Sequence, residues 1–330
     1  MNLYNQINND KSYTYKLLQL PEELLENIEN GNIDNLELKS NYESVVICNA
    51  DKSWKVRQMN HSNTVLLMNK TGKNNLIGFQ SAAYEYELND NKPTISKTIP
   101  VYNNSNTSSI SITELIQDSL CSPKEFESLF YDMNGVYIDG FAYILSNSII
   151  SELLYILITK LMSNQLTVFE ISDIEDIITP PFKKSMLDTI LHKFAKSVEN
   201  RYELIDSNIS KWFGIVELSK NNQPVLKNEF LLNWKSSLPA YYSPSLDLND
   251  LKGYYCSFLT THILYINPID LSTNLAIRFK ELFAFNRSWK YDEFVPFIND
   301  YVPVGKKVDS LIIKYGKKKK VGNEFIVSPG

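Results

Sequence analysis

The sequence predicts an α+β chain in which a β-rich, barrel-like N-terminal part precedes a series of helical units with short hairpins. Three observations predict it. Runs of β-branched and aromatic residues, separated by polar turns, recur every 8–12 residues up to position 90. A stretch with Pro93, Pro100 and the run Asn103-Asn104-Ser105-Asn106-Thr107-Ser108-Ser109 follows, too polar to offset its ordering entropy by burial. Beyond it, helix-start signals and apolar residues at helical spacing alternate with hairpin signals. The chain has 330 residues, 43% hydrophobic and 22% charged, which suits two or three packed domains.

Residues 15–20 read as a strand. Pro21-Glu22-Glu23 opens a helix with proline in its first turn, Leu24, Leu25 and Ile28 continue it, and Asn30-Gly31 ends it. Short strands are then predicted over 36–39, 44–48, 54–59, 64–68, 76–79 and 82–88. Val45-Val46-Ile47 and Val65-Leu66-Leu67-Met68 are apolar on both faces, so each strand is either central or covered by something else. Val45, Ile47, Val65 and Leu67 are therefore candidate partner-docking residues, in the manner of strand addition. A self-sufficient barrel with ordinary buried strands is the alternative.

After the predicted linker at 91–110, Ser111-Ile112-Thr113-Glu114 has the spacing of a capping box. Ser122-Pro123-Lys124-Glu125 repeats that spacing with proline at the first helical position. Asp139-Gly140 between two apolar runs reads as a hairpin turn, and 148–162 as a helix. Helix, helix, hairpin, helix is the order of a winged-helix unit. Looser versions recur, which gives winged-helix units over 111–165, 166–270 and 271–330 after a β-rich domain over 1–90. Pro296 lies inside one predicted helix of the last unit.

Sequence signals for catalysis are missing. Gly72 and Gly78 are not followed by Lys-Ser/Thr, and no dinucleotide fingerprint, nucleophile elbow or zinc-protease motif occurs. His61, His192 and His262 are far apart, and Asp173, Glu175 and Asp176 are explained by a helix start. Cys48, Cys121 and Cys256 are isolated and suit a reducing compartment. No catalytic residue, metal or cofactor is expected. The N-terminal residues carry no apolar leader core, and the longest apolar stretch, 149–158, is interrupted by Glu152, so no membrane association is expected.

Charge is segregated. Residues 301–330 carry a net charge of +5, against −10 for the 300 residues before them. Lys306, Lys307 and Lys314 bracket a predicted amphipathic helix, and Lys317, Lys318, Lys319 and Lys320 follow it into a predicted wing. Lysines at the third helix and wing of a winged-helix unit suit non-specific, salt-sensitive contact with DNA phosphates. A solvated, lysine-rich chain end is the alternative, and Lys183-Lys184 is a second candidate. A winged-helix transcription regulator acting alone would need Arg, Asn or Gln on that helix, and 307–316 offers none. A protein-only scaffold and an unrecognised hydrolase are further alternatives.

Two distant blocks carry a resemblance. The first is Leu17-Leu18-Gln19-Leu20-Pro21-Glu22-Glu23-Leu24-Leu25 with Leu36-Glu37-Leu38-Lys39, Ser44-Val45-Val46-Ile47-Cys48 and Trp54-Lys55-Val56-Arg57. The second is Arg278-Phe279-Lys280-Glu281-Leu282-Phe283 with Trp289-Lys290-Tyr291-Asp292-Glu293-Phe294 and Leu311-Ile312-Ile313-Lys314-Tyr315. In this order they resemble the DCC sister-chromatid-cohesion family, subunits of the alternative (chromosome transmission fidelity) replication factor C clamp loader. The resemblance implies a nuclear, non-catalytic subunit. Its β-rich part would share a composite barrel with a small third subunit and the C-terminal tail of the large loader subunit. It would tether the loader to polymerase epsilon, bind single- and double-stranded DNA through winged helices, and support loading of the sliding clamp PCNA and cohesion.

Overall fold

Backbone rules legible in the sequence fix the first elements. Pro21 supplies a helix N-terminus without needing its missing N–H, and Gly31 at φ +71° ends that helix in the left-handed region. The computed structural model describes residues 2–5, 15–31, 36–71, 75–103, 110–258, 261–303 and 305–330. Part of the asparagine- and serine-rich run, 104–109, lies outside the described residues. The chain is α+β, as the sequence predicts, and divides into two compact units, 1–146 and 147–330.

The first unit begins with β1 (Asn2–Asn5), β2 (Leu18–Gln19), α1 (Glu22–Glu29), β3 (Glu37–Ser40), β4 (Val45–Cys48), β5 (Ser53–Thr71) and β6 (Asn75–Asp90). The sheet order is β1-β6-β5-β4-β3, and β2 pairs with β6 off that path. β1 and β2 run parallel to β6, and the remaining pairs are antiparallel. Among the described residues the sheet stays open and closes no barrel. Four runs expected as separate short strands are two long ones. Residues 61–64 are taken up by a register shift between Asn60 and Val65, and a second shift, between Leu67 and Met68, skips Phe79 in the register.

One face of this sheet packs Trp54 and Leu88 against Leu24 of α1, with Ile47 and Val56 beside them. The other face meets the segment that follows, α2 (Ile112–Asp118), α3 (Pro123–Asp132), β7 (Gly135–Ile138) and β8 (Phe141–Ile144). Lys39 is buried there and donates to the carbonyls of Ile116 and Cys121, both at 3.1 Å. Glu125 accepts from the Ser53 hydroxyl at 2.6 Å and the Ser53 amide at 3.2 Å while closing the capping box with Ser122. The other expected capping box does not form. Ser111 pairs its backbone with Phe141, and Glu114 turns to Lys97. Within residues 91–103, read as linker from composition, Ile99 is buried, Tyr102 donates its amide to Ile144 of β8 and Pro100 accepts from the Ile144 amide.

The second unit repeats one topology three times. The first copy is α4 (Asn147–Ser163), β9 (Val168–Phe169), two single-turn 3-10 helices, α5 (Lys184–Phe194), β10 (Ala195–Val198) and β11 (Arg201–Leu204). The second is α6 (Asp206–Ser219), β12 (Val225–Leu226), α7 (Lys227–Ser237), a 3-10 turn at Leu248–Leu251, β13 (Tyr255–Phe258) and β14 (His262–Tyr265). The third is α8 (Leu275–Phe285), β15 (Trp289–Lys290), α9 (Tyr291–Phe294), α10 (Val308–Tyr315), β16 (Gly316–Val321) and β17 (Glu324–Pro329). In every copy the last strand lies in the middle of a three-stranded sheet, between its hairpin partner and the short strand that follows the first helix. Pro296 ends α9 after one turn, and the chain continues as 3-10 helix, because proline cannot donate into a longer ladder.

Close approach shapes two of these copies. A Cβ on Gly214 would stand 2.7 Å from the Trp234 ring, so glycine lets α6 and α7 meet. A Cβ on Gly316 would stand 2.9 Å from the Ser328 carbonyl and 3.1 Å from Phe283. Arg278 is buried in the third copy. Its Nε donates to Phe297 O at 2.6 Å, Nη1 to Leu271 O and Ser272 O at 3.2 and 3.3 Å, and Nη2 to Pro268 O at 3.2 Å. Substituting Arg278→Met strands several carbonyls without donors and is expected to destabilise the unit by about 3 kcal/mol. Thermal and urea unfolding of the full chain checks this; a loss under about 0.5 kcal/mol would show that water replaces the guanidinium.

Candidate nucleic-acid interface and docking sheet

The seven lysines singled out in the sequence lie around α10 and the β16–β17 hairpin. Strand alternation sorts them. Lys318 points inward: its Nζ lies 2.8 and 3.0 Å from the carboxylate oxygens of Asp309, 3.9 Å from the Tyr291 ring centroid and 4.6 Å from that of Phe325. Tyr291 donates its hydroxyl to the same carboxylate at 2.7 Å. Hydrogen bonds from Lys318 and Tyr291 hold the Asp309 carboxyl below its usual range, while burial, then the bond to Asp309, pushes the Tyr291 phenol up to about 12.

Lys317 and Lys319 share the opposite face of β16 and are exposed. With Lys314, Ile313 and Tyr315 they line a shallow groove beside the chain end at Gly330. The Lys314 ammonium lies 5.0 Å from the Tyr315 ring centroid, and Ile313 is 73% exposed, so the groove mixes charge with an apolar contact surface. Lys306 and Lys307 stand exposed at the start of α10, and Lys320 is exposed near the hairpin tip. None of these six makes an ion pair among the described residues.

The equivalent parts of the other two copies differ. On the first hairpin Lys196 pairs with Glu203 at 3.0 Å, and Arg201 reaches Glu170 at 3.0 Å. Lys184, the second candidate together with Lys183, faces Glu175 at 3.6 Å. In the second copy Lys252 pairs with Asp292. Of the three hairpins and the segments just before them, the third therefore carries the largest group of lysines without an ion pair among the described residues.

The docking candidates are placed on the sheet of the first unit. Ile47 is half-buried and joins the Trp54–Leu88 core under α1. Val45, on the same face one step along, is also half-buried. Val65 pairs with Ala82 and Leu67 with Gln80 in the outer half of the β5–β6 hairpin. Val65 is 37% exposed and its neighbour Leu66 44%, while Leu67 is half-buried. Leu3 and Tyr4 of β1 are exposed as well.

The remaining chemistry is structural. His262 pairs with Thr261, and the side chain of His61 lies outside the described residues. Asp173 bonds the Glu170 amide, Asp176 pairs with Lys160 and Glu175 with Lys184, so the acidic cluster is divided among separate partners. Among the described residues no group of three or more His, Cys, Asp or Glu converges for a metal ion, and no helix is long and apolar enough to cross a membrane. Burial pushes the Cys121 thiol to about 11 and the Cys256 thiol to about 12, so neither is a thiolate nucleophile at neutral pH. Sequence reasoning missed the Asp309–Lys318–Tyr291 group; its only trace was Asp309 opposing the lysines.

Comparison with known proteins follows the same outline. The family model for sister chromatid cohesion protein Dcc1 matches residues 15–298, which leaves the lysine-bearing α10 and hairpin outside the matched stretch. The chain is 28% identical over 381 aligned residues to sister chromatid cohesion protein DCC1 of Saccharomyces cerevisiae, covering 99% of both chains. It is 24% identical over 346 residues to the probable sister chromatid cohesion protein DCC1 of Dictyostelium discoideum, covering 92% of this chain and 90% of that one. With a match from the first sheet to the core of the third repeat, and relatives that align along nearly their whole length, the chain belongs to the Dcc1 family of sister chromatid cohesion proteins.

Proposed function

We propose that this cohesion-family chain is a non-catalytic, nuclear accessory subunit of an alternative replication factor C clamp loader. The observation that carries the reading is the division of labour between the two units. The first offers an open sheet with exposed apolar residues on its outer hairpin, and the second offers one repeat in which six exposed lysines, at 306, 307, 314, 317, 319 and 320, make no ion pair among the described residues. Within this reading the outer sheet is completed by the C-terminal tail of the large loader subunit and a small third subunit, a strand-addition mode. The three repeated topologies are winged helices: α10 is the recognition helix of the last one and β16–β17 its wing.

On the third repeat the contact with DNA runs through Lys306, Lys307, Lys314, Lys317, Lys319 and Lys320, and Lys318 holds the wing in place. Lysines without bidentate partners touch phosphate and leave bases unread, so single- and double-stranded DNA of any sequence is bound. The reading extends to tethering to polymerase epsilon and support of PCNA loading, which the family resemblance implies. Conversion of the six outward lysines to Gln is expected to weaken binding for all sequences alike. It is also expected to flatten the slope of log affinity against log salt by about 0.9 per lost contact on duplex DNA. Lys318→Gln alone is expected to leave the slope unchanged, because its charge is already spent on Asp309; a slope that falls with Lys318 but not with the six would reverse this assignment.

Affinity purification of the tagged chain at moderate salt, followed by mass spectrometry, tests the assembly. The expected result is recovery of clamp-loader subunits, a small third protein and polymerase epsilon. Conversion of Val65 and Leu66 to Asp is expected to lose the small subunit and the loader tail together while the chain stays folded by circular dichroism. Retention of DNA with none of those proteins would favour a lone DNA-binding regulator.

A further inference from the structure

We infer that Ser243 is a phosphorylation site for proline-directed serine/threonine kinases, built into an accessible strap between α7 and the 3-10 turn at Leu248–Leu251. Four positions in the chain place Pro directly after Ser or Thr: Ser122, Thr179, Ser243 and Ser328. The structure separates them. Ser122 is fully buried and its hydroxyl caps α3. Thr179 is exposed, but its carbonyl accepts from the amide of Phe182 at 2.9 Å; drawing this turn into a kinase cleft would pull the buried Phe182 from its place. Ser328 lies in β17, paired with Lys317 across the ladder.

Ser243 differs in each respect. From Tyr241 to Leu246 exposure alternates. Tyr241, Ser243 and Ser245 face outward, while Tyr242, Pro244 and Leu246 turn inward. Tyr242 anchors the strap by donating its hydroxyl to Asp206 at 2.6 Å. Residues 243–246 form no backbone or side-chain hydrogen bond among the described residues, so their backbone is free to pair elsewhere. Tyr241, two residues before the serine, sits at φ +67°, a strained conformation for a bulky residue. A kinase takes its substrate as an extended strand, and Pro244 supplies the residue without an N–H that the proline-directed class reads after the acceptor.

The step is a phosphoryl transfer. The Ser243 hydroxyl oxygen attacks the γ-phosphorus of Mg-ATP, the bond to ADP breaks, and the hydroxyl proton passes to the kinase's catalytic aspartate. The product adds a charge of about −1.5 to −2 next to the Tyr242–Asp206 bond. Lys235 lines the same cleft as Ser243 and is the one cation among its lining residues.

Full-length chain, its Ser243→Ala variant and a synthetic peptide spanning 238–249 are each incubated with Mg-ATP and a purified cyclin-dependent kinase, and phosphate is located by tandem mass spectrometry. The expected result is one phosphate on Ser243 in the folded chain, at a rate comparable to the peptide's, and none in Ser243→Ala. A peptide that is modified while the folded chain is not would overturn the accessible strap. Modification of Thr179 or Ser328 with Ser243 untouched would overturn the structural ranking. Failure of both peptide and chain would show that this kinase class does not read the site.

Discussion

Arg278 holds the third repeat together without a carboxylate. Its fork is spent on carbonyl oxygens from the loop before α8 and from the end of the 3-10 turn after α9, and the Tyr301 ring lies 4.9 Å away. A guanidinium cannot shed its proton to escape burial, so this cage of carbonyls is obligatory. The consequence reaches the surface. Fixing α8 fixes Phe279 and Phe283, which pack with Phe294 and Trp289 in one aromatic core. Phe283 lies against Gly316, where no side chain would fit, and Gly316 begins the strand that carries the lysines. The placement of the strand that carries Lys317 to Lys320 is thus tied to a buried cation on another element.

The first unit uses the same device. Lys39 and Glu125, of opposite sign, each hydrogen-bond neutral groups on the other side of the sheet–helix junction, and Lys39 also lies 3.9 Å from the Glu37 carboxylate. Directional bonds of this kind fix one orientation of sheet on helix, whereas apolar packing alone tolerates several.

How much of this was legible depended on range. The Ser122–Glu125 capping box, the Asp139-Gly140 turn with both residues at positive φ, and the Asn30-Gly31 stop lie within a few residues, and the sequence shows them directly. The Ser111 box had the same spacing but lost its glutamate to Lys97, a competitor the local pattern does not contain. The long β5–β6 hairpin was read as four strands because polar residues look like turns unless the partner strand is known to continue opposite them. Residues 91–103 looked unable to bury apolar surface, yet Ile99 finds a core built from residues well beyond it. At the candidate interface the lysine cluster itself was plain. That Lys318 turns toward α10 required the pairing of β16 with β17 and the position of Asp309 in the first turn of that helix.

The three repeats share a topology and differ in what their surfaces leave unpaired. Each copy ends in a helix or 3-10 turn followed by a hairpin, and the fold by itself assigns no partner. Charge pairing makes the distinction. In the first copy the cations of the hairpin are matched at about 3 Å, and an ion pair so exposed contributes little energy but cancels its own field. In the third copy Lys314, Lys317 and Lys319 stand together without such matches, on a chain whose net charge is −5. Over a Debye length of about 8 Å the rest of the acidic chain is largely screened, and a polyanion close to the groove meets chiefly the local cations. Lys318 completes the arrangement by being withheld. Paired with Asp309, it neutralises the carboxylate that would otherwise repel a phosphate at the start of α10, and it sets the register that turns its two neighbours outward.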